Sequence, residues 1–133
     1  MKVHIYLTSL MMVVLLPIWS CSQSKSSENT NIRVDEVKKT LDEQRDVVLM
    51  DVRTPGEVKN GTLPGVDEII DFRAPDFKGQ IQKLDKGKTY FVYCHSGMRS
   101  GKTVAMMKEI GFKNVFNVEG GIAEWKEKGY EIK

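Results

Sequence analysis

The chain has 133 residues, of which 41% are hydrophobic and 29% are charged. This composition predicts one packed globular domain and excludes a largely disordered chain. Lysine and arginine together number 20 against 18 for aspartate and glutamate, which gives a net charge of +2. A balance so close to neutral gives no support for nucleic acid or an anionic membrane surface as a binding partner.

The first twenty residues have the pattern of a secretory signal peptide. Lys2 and His4 precede a nearly unbroken apolar run, Ile5 to Ile18, and a positive start before a short apolar run is typical of export signals. The run is shorter than the ~20 residues that a transmembrane helix needs. We therefore expect residues 1–20 to direct export, and an uncleaved anchor is the alternative.

Cys21 follows the residues PIWS, and this stretch resembles the lipobox of bacterial lipoproteins, in which the cysteine becomes diacylated. The resemblance implies that Cys21 is the lipidation site. It also implies an exported protein whose lipid holds it at the periplasmic face of a bacterial membrane. An ordinary signal peptide, cleaved without lipidation, is the alternative. Residues 21–31 are then a flexible polar tether, and residues 32–133 form the folded domain.

The hydrophobic pattern after the tether predicts helices that alternate with strands. In chain order we expect a helix over Val34–Gln44, a strand over Val47–Val52, a short helical turn in TPGEVKNG, a strand over Val66–Ile70 and a helix over Ala74–Leu84. There follow a strand over Lys88–Cys94, a helix over Ser100–Ile110, a strand over Asn114–Val118 and a helix over Gly120–Gly129. The strands are too apolar to face water, which favours an α/β fold with a mostly parallel central sheet and helices on both faces.

Polar residues follow two of the predicted strands, at the sheet edge where parallel α/β folds bind their ligands. The segment DVR, Asp51 to Arg53, ends the first strong strand, and the segment CHSGMRS begins with Cys94 at the end of the central one. If Cys21 carries lipid, Cys94 is the only thiol left, so the domain has no partner for an internal disulfide. Cys94 is then either an inert buried side chain or a reactive thiol.

The residues after Cys94 favour the reactive thiol. The chain curls through Gly97 into a helix that is predicted to begin near Ser100, and such a curl points successive backbone N–H groups at one spot. Those groups and the charge of Arg99 are expected to lower the pKa of the thiol below its ordinary value of about 8.5. Gly97 suits a position where a side chain would block the curl or strain the backbone. Ser100 is expected to cap the helix and to donate a hydrogen bond to the site.

Three stretches resemble the rhodanese-like sulfurtransferases, and they occur in the order in which that family has them. CHSGMRS is similar to the family's active-site loop. The stretch DVRTPGEVKNGTLPGV, residues 51–66, is similar to its Asp-Val-Arg segment, the glutamate that follows and its glycine–proline–glycine stretch. The stretch NVEGGIAEWKEKGY, residues 117–130, resembles its closing segment with a double glycine and a tryptophan.

The resemblance implies a sulfurtransferase that works through a persulfide. The Cys94 thiolate attacks a sulfane sulfur, as in thiosulfate, and a second nucleophile such as cyanide or a thiol then removes that sulfur. The resemblance implies a small-molecule or protein sulfur donor, an external thiol acceptor and no cofactor. One cysteine and one histidine within the domain are too few to fill a zinc shell, so we expect no metal. The residues implied to form the substrate-binding cradle are His95, Ser96, Gly97, Met98, Arg99 and Ser100.

Three charged residues outside the loop are implied to support it. Asp51 and Arg53 end the first strong strand, and Glu57 follows four positions after Arg53. We expect Arg53 to form an ion pair with Glu57, because this uses both charges. Arg99 either binds the anionic donor or braces the loop, and the sequence leaves both roles open.

Two features of the loop indicate which group is transferred and which donor supplies it. Rhodanese-fold phosphatases and arsenate reductases have one more residue between cysteine and arginine, whereas Arg99 lies five positions after Cys94. This spacing favours a sulfur atom over a tetrahedral oxyanion. His95 stands where members that use thiosulfate often carry arginine or lysine, which favours a persulfide, polysulfide or protein donor. The alternatives are a non-catalytic module that binds a partner or senses sulfur and, less favoured, a phosphatase or arsenate reductase.

Overall fold

The protein is described by a computed structural model over residues 29–133. The predicted signal peptide, Cys21 and residues 22–28 of the predicted tether lie outside the described residues. The strands are β1 (Asn31–Arg33), β2 (Val48–Asp51), β3 (Glu68–Ile69), β4 (Tyr90–Tyr93) and β5 (Val115–Glu119). The helices are α1 (Val34–Asp42), α2 (Pro55–Val58), α3 (Phe77–Gln82), α4 (Met98–Glu109) and α5 (Gly121–Glu127). No helix within residues 29–133 is both long and apolar enough to span a bilayer.

The five strands form one sheet in the order β1-β5-β4-β2-β3. Every neighbouring pair in this sheet is parallel. The architecture confirms the predicted α/β fold and places β4 at the centre of the sheet. Because the strands are parallel, the loops that follow β2, β4 and β5 all emerge at the same edge.

Side chains along β4 alternate between the two faces of the sheet, as the pleat of a strand requires. Phe91 and Tyr93 pack into the hydrophobic cluster that includes residues of α1 and α5. Tyr90 and Val92 pack into the opposite cluster, which includes residues of α3 and α4, and Cys94 continues this alternation. The central strand therefore delivers Cys94 to the face of the sheet that α4 covers.

The edge strand β1 was not predicted from the sequence. Asn31 is its first residue, although the predicted tether includes that position. The strand pairs only with β5, in the register that places Asn31 opposite Asn117. Three residues, of which only Ile32 is apolar, are too few to show a strand periodicity. The pairing therefore depends on a partner strand more than eighty positions away in the sequence.

Two helices begin two or more residues away from their predicted starts. Helix α3 begins at Phe77, and the residues from Ala74 to Asp76 form a turn before it. Helix α4 begins at Met98, two residues earlier than predicted, because Gly97 occupies the N-cap position in a left-handed conformation. Ser100 therefore lies within the first turn of α4, and the prediction that it caps the helix is wrong.

Candidate active site

Cys94 follows the last residue of β4, and its side chain is almost completely buried, with 1% of its surface exposed. Two groups from the following loop and helix donate hydrogen bonds to its sulfur. The backbone N–H of Gly97 donates to Sγ at 3.1 Å, and the hydroxyl of Ser100 donates at 3.4 Å. The thiol is thus buried, as an inert cysteine would be, but it is surrounded by donors that favour the thiolate.

The backbone conformation of Gly97 brings these donors to the sulfur. Its φ of +98° lies in the left-handed region that glycine adopts without strain. A Cβ at this position would also meet the backbone of β5 and of the loop after it, with Val118 O at 3.6 Å. The turn at Gly97 starts α4 immediately, so the free N–H groups of its first turn lie beside Cys94.

The environment lowers the pKa of the Cys94 thiol, despite an opposing contribution from burial. Burial raises the pKa, because it disfavours the charged form. The hydroxyl of Ser100 and the backbone N–H groups of Ser100, Gly97 and Ser96 together outweigh it and lower the pKa below the ordinary value. The site can therefore hold a nucleophilic thiolate in a place where water has little access.

We predict that Ser100→Ala raises the pKa of Cys94. The hydroxyl is the largest of the contributions that lower this pKa, and a hydrogen bond to a charged group contributes about 1.5–3 kcal/mol. Titration of the thiolate's ultraviolet absorbance should therefore move to higher pH. Ser96→Ala is the control, because Ser96 acts on the sulfur through its backbone N–H. An unchanged titration in Ser100→Ala would contradict the prediction.

The first turn of α5 holds the active-site loop from the other side. The backbone N–H of Ile122 donates to the carbonyl of Cys94 at 3.0 Å, and that of Ala123 donates to the carbonyl of His95 at 3.0 Å. These two bonds satisfy the carbonyls of the loop, while the N–H groups of Ser96 and Gly97 donate to the sulfur. The loop therefore depends on the end of β5 and the start of α5 for its shape.

Gly121 makes this contact possible, and it was not among the site residues predicted from the sequence. Its φ is +57°, and a Cβ at this position would lie 2.5 Å from Cys94 O and 2.6 Å from His95 O. Such distances are shorter than any side chain tolerates, so only glycine fits between α5 and the loop. The double glycine at the start of α5, Gly120 and Gly121, is the sequence signal that could have identified it.

Arg99 braces the loop through an ion pair with Glu57. Its Nη1 and Nη2 donate to the two carboxylate oxygens at 2.8 and 2.6 Å. Glu57 also accepts from the N–H and hydroxyl of Thr54, which caps α2. The hydrogen bond with Arg99, with smaller contributions from Thr54, holds the pKa of Glu57 far below its ordinary range, although burial acts in the opposite direction.

The expected ion pair between Arg53 and Glu57 is therefore wrong. Arg53 pairs with Asp51 instead, through two bonds from Nε at 3.0 Å and one from Nη2. Both side chains are buried, and Arg53 touches Glu57 only at its backbone carbonyl. Burial disfavours the charge of Arg53, but the Asp51 carboxylate outweighs it, so the pKa of Arg53 is raised. Arg53 thus pairs with Asp51, two residues away, and Glu57 remains available to Arg99 of the active-site loop.

The other residues of the predicted cradle lie at the surface. His95 and Ser96 are exposed, and the side chain of Met98 is 71% exposed at the start of α4. Their backbone, rather than their side chains, forms the turn around the sulfur. Among residues 29–133, no group of three or more histidine, cysteine, aspartate or glutamate side chains is placed to hold a metal ion.

Comparison with known proteins identifies the family of this domain. Residues 33–128 match the profile of the rhodanese-like domain. The chain belongs to the rhodanese-like family. The sulfurtransferase of Allochromatium vinosum is 30% identical over 98 residues, which cover 74% of this chain and 89% of that protein. YtwF of Bacillus subtilis is 35% identical over 99 residues, which cover 74% of this chain and 92% of that protein.

A solved structure supports the same assignment. The crystal structure of a rhodanese-like domain protein from Staphylococcus aureus is 33% identical in sequence and has a TM-score of 0.67. The match covers 78% of this chain and 98% of that chain. The rhodanese-like domain described here therefore corresponds to nearly the whole of a solved relative.

The rhodanese-like domain of this chain has a cavity of about 410 Å³ beside the active-site loop. Its lining residues are Arg53, Glu57, Asn60, His95, Ile122 and Lys126. The cavity joins the loop to α2 and α5, the two helices that hold the loop in place. A second cavity, of about 400 Å³, lies at the amino edge of the sheet near Val47 and Thr89, away from Cys94.

Proposed function

We propose that this protein is a sulfurtransferase that carries sulfane sulfur as a persulfide on Cys94. The observation that carries the proposal is the set of N–H and O–H donors around a thiol of lowered pKa at the end of β4. A buried thiolate held in this way is an activated nucleophile. The name of the Allochromatium vinosum relative gives independent support.

The proposed reaction has two displacement steps on sulfur. In the first, the Cys94 thiolate attacks the sulfane sulfur of the donor, the sulfur–sulfur bond of the donor breaks, and the leaving group departs with the electron pair. Cys94 then carries a persulfide whose outer sulfur is negatively charged. In the second, a thiolate or cyanide attacks that outer sulfur, and the Cys94 thiolate leaves. The electrons balance within each step, so neither step needs an oxidant or a reductant.

The same hydrogen-bond donors stabilise both states of the cysteine. The amides of Ser96 and Gly97 and the hydroxyl of Ser100 stabilise the thiolate before the first step. After it, the negative charge has moved outward by one sulfur atom, toward the opening of the turn. Donors that are fixed before the reaction need no reorganisation when the charge moves, which is the general advantage of such sites.

The position of Arg99 favours sulfur over phosphate or arsenate as the transferred group. An oxyanion substrate would need the arginine to contact its oxygens, whereas both terminal nitrogens of Arg99 are bound to Glu57. The guanidinium nevertheless lies near enough to Cys94 for the thiolate to contribute to its raised pKa. Arg99 therefore braces the loop and adds a fixed positive field beside the sulfur.

We propose that the acceptor is an external thiol and that the protein acts outside the cytoplasm, held by lipid on Cys21. The location follows from the pattern of the first 21 residues alone. The acceptor follows from the cysteine count, because Cys94 is the only cysteine among residues 29–133. A small-molecule persulfide, a polysulfide or a persulfide on another protein would supply the sulfur.

Intact-mass measurement tests the proposed function. In the Cys21→Ser background Cys94 is the only cysteine, so incubation with an organic persulfide or thiosulfate should add the mass of one sulfur atom. Addition of a thiol or cyanide should remove it, and Cys94→Ser should abolish the gain. A chain that takes up no sulfur from any donor would favour a non-catalytic module. Hydrolysis of an aryl phosphate without sulfur uptake would favour a phosphatase.

A further inference from the structure

The charges around the cavity beside the loop are mostly neutralised within the protein. Arg53 pairs with Asp51, and Arg99 pairs with Glu57. Lys126 lines the same cavity and is exposed. Among residues 29–133 Lys126 forms no ion pair, whereas its neighbour Lys128 pairs with Asp35 and Glu124. Lys126 is thus the permanent positive charge at the cavity that remains available to a substrate.

The position of Lys126 on α5 relates it to the reactive sulfur. Ile122, one helical turn earlier, donates its N–H to the carbonyl of Cys94 and lines the cavity as well. Residues four apart lie on the same face of a helix, about 6 Å from each other. The long lysine side chain therefore projects from the helix that anchors the loop, beside the exposed His95, and not from the loop itself.

We propose that Lys126 is a specificity-determining residue, and that it binds an anionic group that the sulfur donor carries beyond its sulfane sulfur. The proposal rests on the proposed function, because it concerns the donor of the same reaction. A carboxylate a few bonds away from the sulfur would meet the Lys126 ammonium while the sulfane sulfur reaches the mouth of the loop. A donor of the same size without that charge gains nothing from Lys126.

Two matched donors test this inference. Mercaptopropionate persulfide ends in a carboxylate, and mercaptopropanol persulfide ends in a hydroxyl group. With both, the Cys94 thiolate takes the outer sulfur, the sulfur–sulfur bond of the donor breaks, and the departing thiolate takes up the proton of the persulfide. Rapid mixing followed by intact-mass measurement gives the maximal loading rate and the half-saturating concentration for each donor.

We expect Lys126→Gln to raise the half-saturating concentration of the carboxylate donor about threefold, the effect of one partly exposed ion pair. The maximal loading rate and both constants for the hydroxyl donor should stay unchanged. Lys126→Arg should restore binding of the carboxylate donor. Lys113→Gln is the matched control, because Lys113 precedes β5 at the opposite edge of the sheet and should change neither donor.

The two proposals fail in different ways. If wild-type protein loads sulfur from both donors but Lys126→Gln affects them equally, or affects neither, the role of Lys126 is overturned and the proposed function stands. A change in the maximal rate without a change in the half-saturating concentration would also overturn it. If neither donor loads Cys94 of the wild-type protein, the role of Lys126 is overturned, and the proposed function falls with it only if thiosulfate also fails to load sulfur.

Discussion

Gly121→Ala is expected to slow the loading of sulfur onto Cys94 by about a hundredfold, because displacement of a reacting group by about 1 Å has effects of that size. The new Cβ would lie 2.5 Å from Cys94 O and 2.6 Å from His95 O. These are backbone atoms, so the loop itself must move. The hydrogen bonds from the first turn of α5 to these carbonyls would then lengthen, and the amides that face the sulfur would turn away from it.

The same substitution should also lower the free energy of unfolding by about 2–4 kcal/mol, from left-handed strain and overpacking together. Gly129→Ala is the matched control. Gly129 also has a positive φ, +72°, but a Cβ there would meet no atom within 4 Å. This variant should lose only the strain contribution of about 1–2 kcal/mol and load sulfur at the wild-type rate.

Denaturant unfolding and the mass-based loading assay, applied to both glycine variants, separate the two effects. If Gly121→Ala loads sulfur as fast as Gly129→Ala does, α5 does not hold the loop in its active shape. If both variants lose the same free energy of unfolding, the contact of the new Cβ at position 121 with the loop carbonyls does not destabilise the fold. Either result would contradict the role given to Gly121.

Asp51→Ala is expected to lower the free energy of unfolding by about 3–5 kcal/mol, because it leaves a buried arginine without its counter-charge. The side chains of Asp51 and Arg53 are 0% and 4% exposed. Arg53 would keep its bond to the carbonyl of Gly61 at 2.9 Å and its contact with the ring of Tyr93. Neither contact supplies the negative charge that a buried guanidinium requires.

Asp42→Ala is the control for this prediction. Asp42 pairs with Lys38 at 2.6 Å, but it is 60% exposed, so its loss should cost less than about 1 kcal/mol. The double variant Asp51→Leu with Arg53→Met removes both buried charges and should recover much of the stability lost in Asp51→Ala. Urea unfolding curves measure all three. Equal losses in Asp51→Ala and Asp42→Ala would contradict the importance of the buried pair.

The buried pair also explains how the fold keeps Glu57 available. Arg53 lies between Asp51 at the end of β2 and the carbonyl of Gly61 after α2, and its charge is neutralised by Asp51. Glu57, held by Thr54 at the start of α2, is then not drawn to Arg53 and forms its ion pair with Arg99. A loss of Asp51 is therefore expected to disturb the brace on the active-site loop as well as the core.

Much of this site could be predicted from the sequence, because the features concerned are local. An apolar run of β-forming residues predicted the position of β4, and Cys94 directly follows the last residue of that strand. A glycine three residues later predicted the curl, and Gly97 has the left-handed backbone that such a curl needs. Neighbouring residues determine these features through sterics and burial, so the sequence displays them directly.

Only the tertiary structure decided which distant groups meet. The sequence predicted an ion pair between Glu57 and Arg53, four positions apart, but the fold pairs Glu57 with Arg99, 42 positions away. The sequence likewise did not predict that β1 pairs with β5, or that Gly121 lies against the carbonyls of Cys94 and His95. Long charged side chains and short edge strands have weak local preferences, so their partners are set by the packing of whole helices and strands around the sheet.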